Sequence, residues 1–586
     1  MSDSVPTKPA HIREFTPRSV AVGILVAVII GASYPYVVLK FGIGPNISVV
    51  SAFFGFLALG IFSKSYNRWE NNVVQTAGTS AGMIAFLCWL LAAFDILAAE
   101  PGSGFNVHLS RLQTWLWLSA SGILGVLLAV PLRKHFIDDE KLPFPDGIAA
   151  GETLIMLDSH GSAARKSTVA MIGSLIVSGL VFFATQAKWI IELIAVQVNR
   201  WSSTVGLGFA LSLLNVGSGM IIGLRITTSM LIGAVIAWVL APQWLADHGY
   251  IGEHAKRTEI LLTVMWPGIA VLIAGGITTL LLRWRSLVGT FKSLAAAGSA
   301  SGDMSLRWVW IGCLLSGAAL VGLQAAFFGT PVWQSVIAIL LAVPLGLVAL
   351  RVLGETNWGP ISTMANLTQA VFGALAPGSL SASMVSSGVT SAVAAESEGI
   401  MQDYKVGSMI GSTPKILTYM QLIAVPVGAL ALAYAYPLLR DTYGLIGDTA
   451  QLSSPISARW VGFAKIVTQQ LSGPGALSAE AMMRISWMKN SFLVGSIIGV
   501  LLTLLEQKKS WKPFVPSPTG MGIGVLIPIS AVTVMWLGAA ADRVWEKTNA
   551  DTHTRYSIAT ASGFIAGEAI VAVIIPILVT LGLMKL

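Results

Sequence analysis

The sequence predicts an all-α polytopic membrane protein of about 14–17 transmembrane helices, arranged as two pseudo-symmetric, inverted repeats with re-entrant or broken helices. Composition, recurrent apolar runs and an internal repeat point to this class. Hydrophobic residues make up 54% and charged residues 11% of the 586 positions, against about 25% charged in an ordinary soluble chain. Mean hydropathy is +0.75. The net charge of +8 is scattered through short loops, which fits cytoplasmic anchoring and excludes a nucleic-acid surface. Fifty-nine glycines suit close helix packing, and 19 tryptophans suit the headgroup region. The two cysteines, Cys88 and Cys313, lie inside apolar runs and build neither a disulfide framework nor a metal site.

Residues 1–18 carry Lys8, Arg13, Arg18 and prolines but no apolar core or cleavage site, so they read as a cytoplasmic tail. The first repeat is expected over 19–300, with spans near 20–39, 46–62, 73–97, 113–131, 168–187, 205–222, 224–241 and 259–282. A linking helix near 308–328 occupies 301–333. The second repeat, 334–586, offers spans near 335–352, 360–377, 383–400, 416–437, 488–505, 514–541 (one span or a broken pair) and 556–583. Basic clusters at 8–18, 64–68, 133–141, 165–166, 283–307 and 506–512 fall on one side if 143–157 dips in and returns. That side is cytoplasmic by the positive-inside rule. Val20–Leu59, containing Gly42-Ile-Gly-Pro-Asn-Ile-Ser48, aligns with Ser335–Leu375, containing Asn357-Trp-Gly-Pro-Ile-Ser-Thr363. Met230-Leu-Ile-Gly-Ala234 pairs with Met535-Trp-Leu-Gly-Ala539, and Trp266-Pro-Gly-Ile269 with Ala561-Ser-Gly-Phe564.

The chemistry concentrates in Val389–Lys415, where Glu396, Glu398, Asp403 and Lys405 sit among small residues between apolar runs. A carboxylate at the centre of a membrane helix costs roughly 2.5–3.5 kcal/mol by insertion scales. Such a cluster is expected to line a wet cavity or ion path. Glu70-Asn-Asn-Val-Val-Gln-Thr-Ala-Gly-Thr-Ser-Ala-Gly82 puts Asn71, Asn72, Gln75 and Thr79 near one helix face. That face either meets cargo or joins neighbouring helices. In Leu142-Pro-Phe-Pro-Asp-Gly-Ile-Ala-Ala-Gly-Glu-Thr153, the prolines stop one helix, Asp146 stands where an N-cap would, and Glu152 follows. This suits a re-entrant hairpin, with Leu471–Glu480 as a looser counterpart. Leu213-Leu-Asn-Val-Gly-Ser-Gly-Met-Ile-Ile-Gly-Leu-Arg225 reads as a broken helix with Asn215 inside it. Arg225 either forks onto a cargo carboxylate or snorkels at the interface. Glu568 is a lone acid in the last span. The histidines fall in or beside loops, so metal is expected to pass only when already chelated.

These motifs together resemble the oligopeptide transporter family, particularly its bacterial members and the yellow-stripe-like branch. The residues that carry the resemblance are Glu70–Gly82, Leu142–Glu152, Met401-Gln-Asp-Tyr-Lys-Val-Gly with Ile410-Gly-Ser-Thr-Pro414, and Ser562-Gly-Phe-Ile-Ala-Gly-Glu-Ala569. Asp146 stands where Glu is usual in the family. The resemblance implies a proton-coupled symporter of small oligopeptides or metal chelates of amino-acid derivatives, in a bacterial inner membrane. It implies no catalysis and no cofactor. Partners are then the cargo, protons, lipid and a second copy in a homodimer.

On this reading Asn71, Asn72, Gln75, Thr79, Asp146, Glu152, Asn215, Arg225 and Asn357 would contact cargo. Glu396, Glu398, Asp403, Lys405 and Glu568 would serve proton coupling, since a buried carboxylate can exchange a proton near neutral pH. A passive channel is the first alternative. An integral-membrane transferase would want an Asp-rich metal motif or a histidine pair at depth.

Overall fold

The computed structural model describes residues 8–9, 12–41, 47–62, 67–100, 103, 105–158, 162–282, 302–445, 452, 454–470, 479–508 and 510–580. Residues 42–46, Lys64, the basic stretch 283–301 and residues 471–478 lie outside them. The first half runs α1 (Pro17–Phe41), α2 (Ile47–Phe62), α3 (Arg68–Phe86), α4 (Cys88–Ala98), α5 (Arg111–Ala129), α6 (Pro145–Leu157) and α7 (Ser162–Gln186). After α7 come strand β1 (Leu193–Ala195), α8 (Ser202–Val205), strand β2 (Gly208–Ala210), α9 (Leu213–Ile222), α10 (Leu224–Val235), α11 (Ala241–Asp247) and α12 (Arg257–Leu282). Then follow α13 (Leu306–Phe328), α14 (Val332–Thr356), α15 (Ile361–Leu375), α16 (Leu380–Ile410), α17 (Pro414–Tyr443) and α18 (Pro455–Gln470). The chain closes with α19 (Ala479–Glu506), α20 (Pro518–Leu526), α21 (Ile529–Thr548) and α22 (Ala550–Thr580).

Among the described residues, 10 helical stretches are long and apolar enough to cross a membrane. Helices satisfy their own backbone hydrogen bonds, which hydrocarbon requires. Helix α13, expected as the linker, turns Leu314 and Leu315 outward, as lipid contact favours. One expected span, 205–222, is corrected. Gly206 adopts a left-handed φ of 68° and ends α8, so the chain forms an antiparallel hairpin pairing Leu193 with Ala210. Only the ten residues of α9 remain helical there. The 514–541 stretch is a broken pair, α20 and α21, interrupted at Ile527-Pro528, where proline lacks the amide a continuous helix needs. The described end of the expected 1–18 tail, residues 12–18, is tied down. Glu14 is buried and accepts from the Thr413 amide at 3.0 Å, while Thr16 and Arg18 both bond Glu70.

The spine of the molecule is α16. It starts at Ser379, whose hydroxyl accepts from the Ala382 amide, and ends at Gly411 in a left-handed turn with φ 78°. Nearly every residue between is buried, although its polar composition keeps it out of the 10 apolar stretches. Helices α3, α5, α6, α14, α15 and α17 surround it. Small residues allow the approach: a Cβ on Gly125 of α5 would lie 2.6 Å from the Val393 carbonyl oxygen.

Helices of the two expected repeats meet through reciprocal glycine contacts. A side chain at Gly219 on α9 would strike the Met535 carbonyl on α21, and one at Gly524 on α20 would strike the Met230 carbonyl on α10. Gly233 meets Met521 and Gly538 meets Val216 in the same crossed sense. Likewise α7 packs on α22, and α12 packs on α19.

Candidate functional site

Two faces of α16 carry the acids. At 3.6 residues per turn, Glu396 and Asp403 stack about two turns apart on one face, while Glu398 and Lys405 stack on the opposite face. The first pair looks toward α3 and α17. Asn67 caps α3 by accepting from the Trp69 amide at 2.9 Å, which sets the phase of the amide-rich face that follows. Gln75 Nε2 donates to Asp403 Oδ1 at 2.6 Å and to Thr79 Oγ1 at 2.9 Å. Ser80 Oγ donates to Glu396 Oε2 at 3.0 Å, and Gln421 Nε2 of α17 donates to the same oxygen at 2.9 Å. Asn72 Nδ2 donates to Ser412 Oγ at 2.8 Å, just past the end of α16.

Donors on this face are committed, and acceptors are left over. Glu396 Oε1, Asp403 Oδ2, Gln75 Oε1, Gln421 Oε1 and Asn72 Oδ1 are all buried without a hydrogen-bond partner. Buried acceptors of this kind are rare in folded proteins and call for a donor, whether a proton, an ammonium group or water. The arrangement can therefore hold a donor-rich or cationic group between two carboxylates and two carboxamides.

The opposite face is organised by the Leu142–Asp146 segment. Phe144, in a left-handed conformation with φ 45°, takes the N-cap position, and Pro145 opens α6. Asp146 therefore lies in the first turn of α6, not at its cap; a proline suits the N1 position because no amide is required there. The Phe144 amide bonds the Gly354 carbonyl, and Asn357 clamps Asp146 from both sides. Its Oδ1 accepts from the Asp146 amide at 3.0 Å, and its Nδ2 donates to Asp146 Oδ1 at 2.7 Å. Asn357 itself sits at φ 59° beyond the end of α14 and also donates to Ser218 on α9 at 3.2 Å. Lys405 Nζ donates to the Leu142 carbonyl at 3.1 Å. Just before this segment, Glu140 accepts from Arg351 at 2.6 Å and lies 3.0 Å from His135 Nε2. His135 is thus buried, not a loop residue.

Other residues singled out in the sequence lie elsewhere. Asn71 donates to the Ala52 carbonyl of α2. Glu152 is half-buried on α6, and Asn215 is buried in the first turn of α9. Glu568 accepts from Ser212 Oγ at 2.9 Å and from the Leu214 amide at 3.0 Å, so it caps α9. The expected helix break is at Gly223, but Arg225 is not brought to α16. It pairs with Glu506 at 2.8 Å and donates to the Lys512 carbonyl. Gln421, Ser80 and Ser412 were not among the expected site residues. A lone amide in the 30-residue apolar helix α17 was the available signal for Gln421.

A family model described as OPT oligopeptide transporter protein matches residues 14–579. The chain belongs to the oligopeptide transporter family. Relatives in this family include the metal-nicotianamine transporter YSL2 of Arabidopsis thaliana, 22% identical over 96% of this chain and 93% of its own. The iron-phytosiderophore transporter yellow stripe 1 of Zea mays is 23% identical over 94% of this chain and 88% of its own. A Haemophilus influenzae relative, provisionally named an oligopeptide transporter, is 24% identical over 93% and 92%. All four motif blocks that carry the resemblance fall inside the matched range of the oligopeptide transporter model.

Proposed function

We propose that this chain is a secondary transporter that couples protons to the movement of small peptides or metal chelates of amino-acid derivatives. It would work in a bacterial inner membrane, with its N-terminus in the cytoplasm and a homodimer as its assembly. The observation that carries the reading is the buried α16 face, where Glu396 and Asp403 each keep one oxygen unpartnered beside the free oxygens of Gln75 and Gln421. Peptide amino termini and the amine groups of chelators built from amino acids are donors of the kind this face lacks. Chelate cargo is also what the plant relatives are named for. In this reading Asn72, Gln75 and Gln421 hold cargo polar groups. Glu396 and Asp403 alternate between proton and cargo ammonium, and Asp146, Glu152 and Asn357 shape the hairpin beside the route. Arg225, Asn215, Asn71 and Glu568 support the scaffold around it.

Counterflow in liposomes tests the proposal. Vesicles preloaded with unlabelled trialanine or iron–nicotianamine should accumulate the labelled compound transiently and saturably. A linear, non-saturating flux without counterflow would make the protein a channel.

A further inference from the structure

The second face of α16 carries a feature that the cargo face does not explain. Helix α15 runs antiparallel to α16: Gly359, just before α15, lies against the Glu398 carboxylate, Thr368 Oγ1 is 2.9 Å from Thr390 Oγ1, and Ser383 Oγ donates to the Gln369 carbonyl at 3.3 Å. On these two helices Glu398 Oε1, Asn366 Oδ1, Gln369 Oε1 and Ser386 Oγ are buried and without partners. The seam between them ends beside 374–378, the last residues of α15 and the turn after them, which are mostly exposed. From Ser383 to Glu398 the helix rise gives a length of about 22 Å.

Apolar packing would have served a purely structural seam better, because each unpartnered buried polar atom costs about 1–3 kcal/mol. Hydroxyls both donate and accept, so the Thr368–Thr390 pair and Ser386 can pass a proton along, and the free oxygens of Asn366 and Gln369 can each accept from a bridging water. Glu398 is the one ionisable group on the route. Helix α15 has none. Of the charged groups on the other neighbours, Glu152 of α6 is half-buried, and the following are engaged elsewhere. Arg351 and Glu355 of α14 pair with each other, Asp146 of α6 is held by Asn357, and Glu70 of α3 is held by Arg18. Arg111 of α5 lies over the Tyr434 ring, and Arg440 of α17 pairs with Asp95 and Asp441. On α16 itself Lys405 bonds the Leu142 carbonyl, and Glu396 and Asp403 point to the other side.

We propose that the α15–α16 seam is a proton path from residues 374–378 to Glu398, separate from the Glu396–Asp403 cargo face. It deepens, and rests on, the transporter reading above. The test is infrared difference spectroscopy on proteoliposomes, following the carboxyl carbonyl band that Glu398→Gln removes and its exchange on transfer to D2O. Asn366→Leu and Gln369→Leu should slow that exchange at least tenfold. Asn366→Ser should restore it, and Ser386→Ala, a mild change that keeps the fold, should slow it measurably. A band that exchanges at the wild-type rate in all of these variants, or no band lost in Glu398→Gln, overturns the proposal. Counterflow of trialanine or iron–nicotianamine through the wild type is read in parallel. Its absence would sink the transporter reading while leaving the exchange result to stand for the path itself.

Discussion

The Gln75–Asp403 contact allows the buried face to be measured as an energy. At 2.6 Å, with both residues fully buried, it is a carboxamide donating to a carboxyl group. Hydrogen bonds to charged groups contribute about 1.5–3 kcal/mol, and a buried acceptor left without its donor costs at least as much as it gained. Gln75→Leu should therefore destabilise the fold by about 1.5–3 kcal/mol, roughly a 10–100-fold change in the folded-to-unfolded ratio. Asp403→Leu should cost a comparable amount, because it strands Gln75 Nε2. The double variant should recover much of the loss, since replacing both partners removes the unsatisfied atoms together. Reversible unfolding in mixed detergent micelles, run as a double-mutant cycle, reads the coupling directly. A coupling under about 0.5 kcal/mol, the level expected of independent sites, would refute the claim that these two groups are joined in the native protein.

Further outcomes follow from the same geometry. Glu396→Gln or Glu398→Gln should abolish the pH dependence of uptake while leaving the protein folded; unchanged pH-dependent uptake in both would remove them from the mechanism. Glu568→Ala should lower stability by about 0.5–2 kcal/mol, because α9 loses the acceptor for its Leu214 amide and keeps only the Ser212 cap; a thermal midpoint equal to wild type would contradict that role. Gly125→Leu forces a side chain against the Val393 backbone and should cost about 1–3 kcal/mol by overpacking, seen as loss of the monodisperse protein peak on heating. Asp138, in the wide helical turn Lys134–Asp139 after α5, is held above the ordinary aspartate range because its partial burial outweighs the nearby Arg133 guanidinium. Folding then takes up a proton there, so this group favours the folded state at low pH and ceases to as pH rises through its folded value. Asp138→Asn should raise the melting temperature at neutral pH and match wild type in acid; the reverse ordering would refute the assignment.

The polar segments were legible in the sequence because hydrocarbon makes them costly. Glu396, Glu398 and Asp403 stood out against apolar flanks, and they are buried on one helix. Their division between two faces was written in the helical period, yet only the positions of α3, α15 and α17 say what each face meets. The Pro-Phe-Pro-Asp segment announced a helix stop and restart, but not that Phe144 would take the cap and Asn357 would clamp Asp146. That pairing joins residues far apart in the chain, and no local pattern encodes it. Arg225 and Glu568 illustrate the converse. Each was a charge in an apolar run, and each finds a partner (Glu506 and the α9 N-terminus) that depends on tertiary packing. The second strand of the hairpin, Gly208–Ala210, was read into the expected 205–222 span because the apolar residues there match a span in composition. Its Gly206 and Gly208 were the local sign that a helix would not continue.

The most direct test of the account asks whether cargo reaches the α16 face. Cysteine is introduced at Asn72 in a protein with Cys88 and Cys313 replaced by alanine, and labelling by a membrane-impermeant thiosulfonate is followed in proteoliposomes. The account expects labelling that trialanine or iron–nicotianamine slows in a saturable way. Labelling that ignores both compounds while counterflow persists, or no labelling from either side of the membrane, would contradict it.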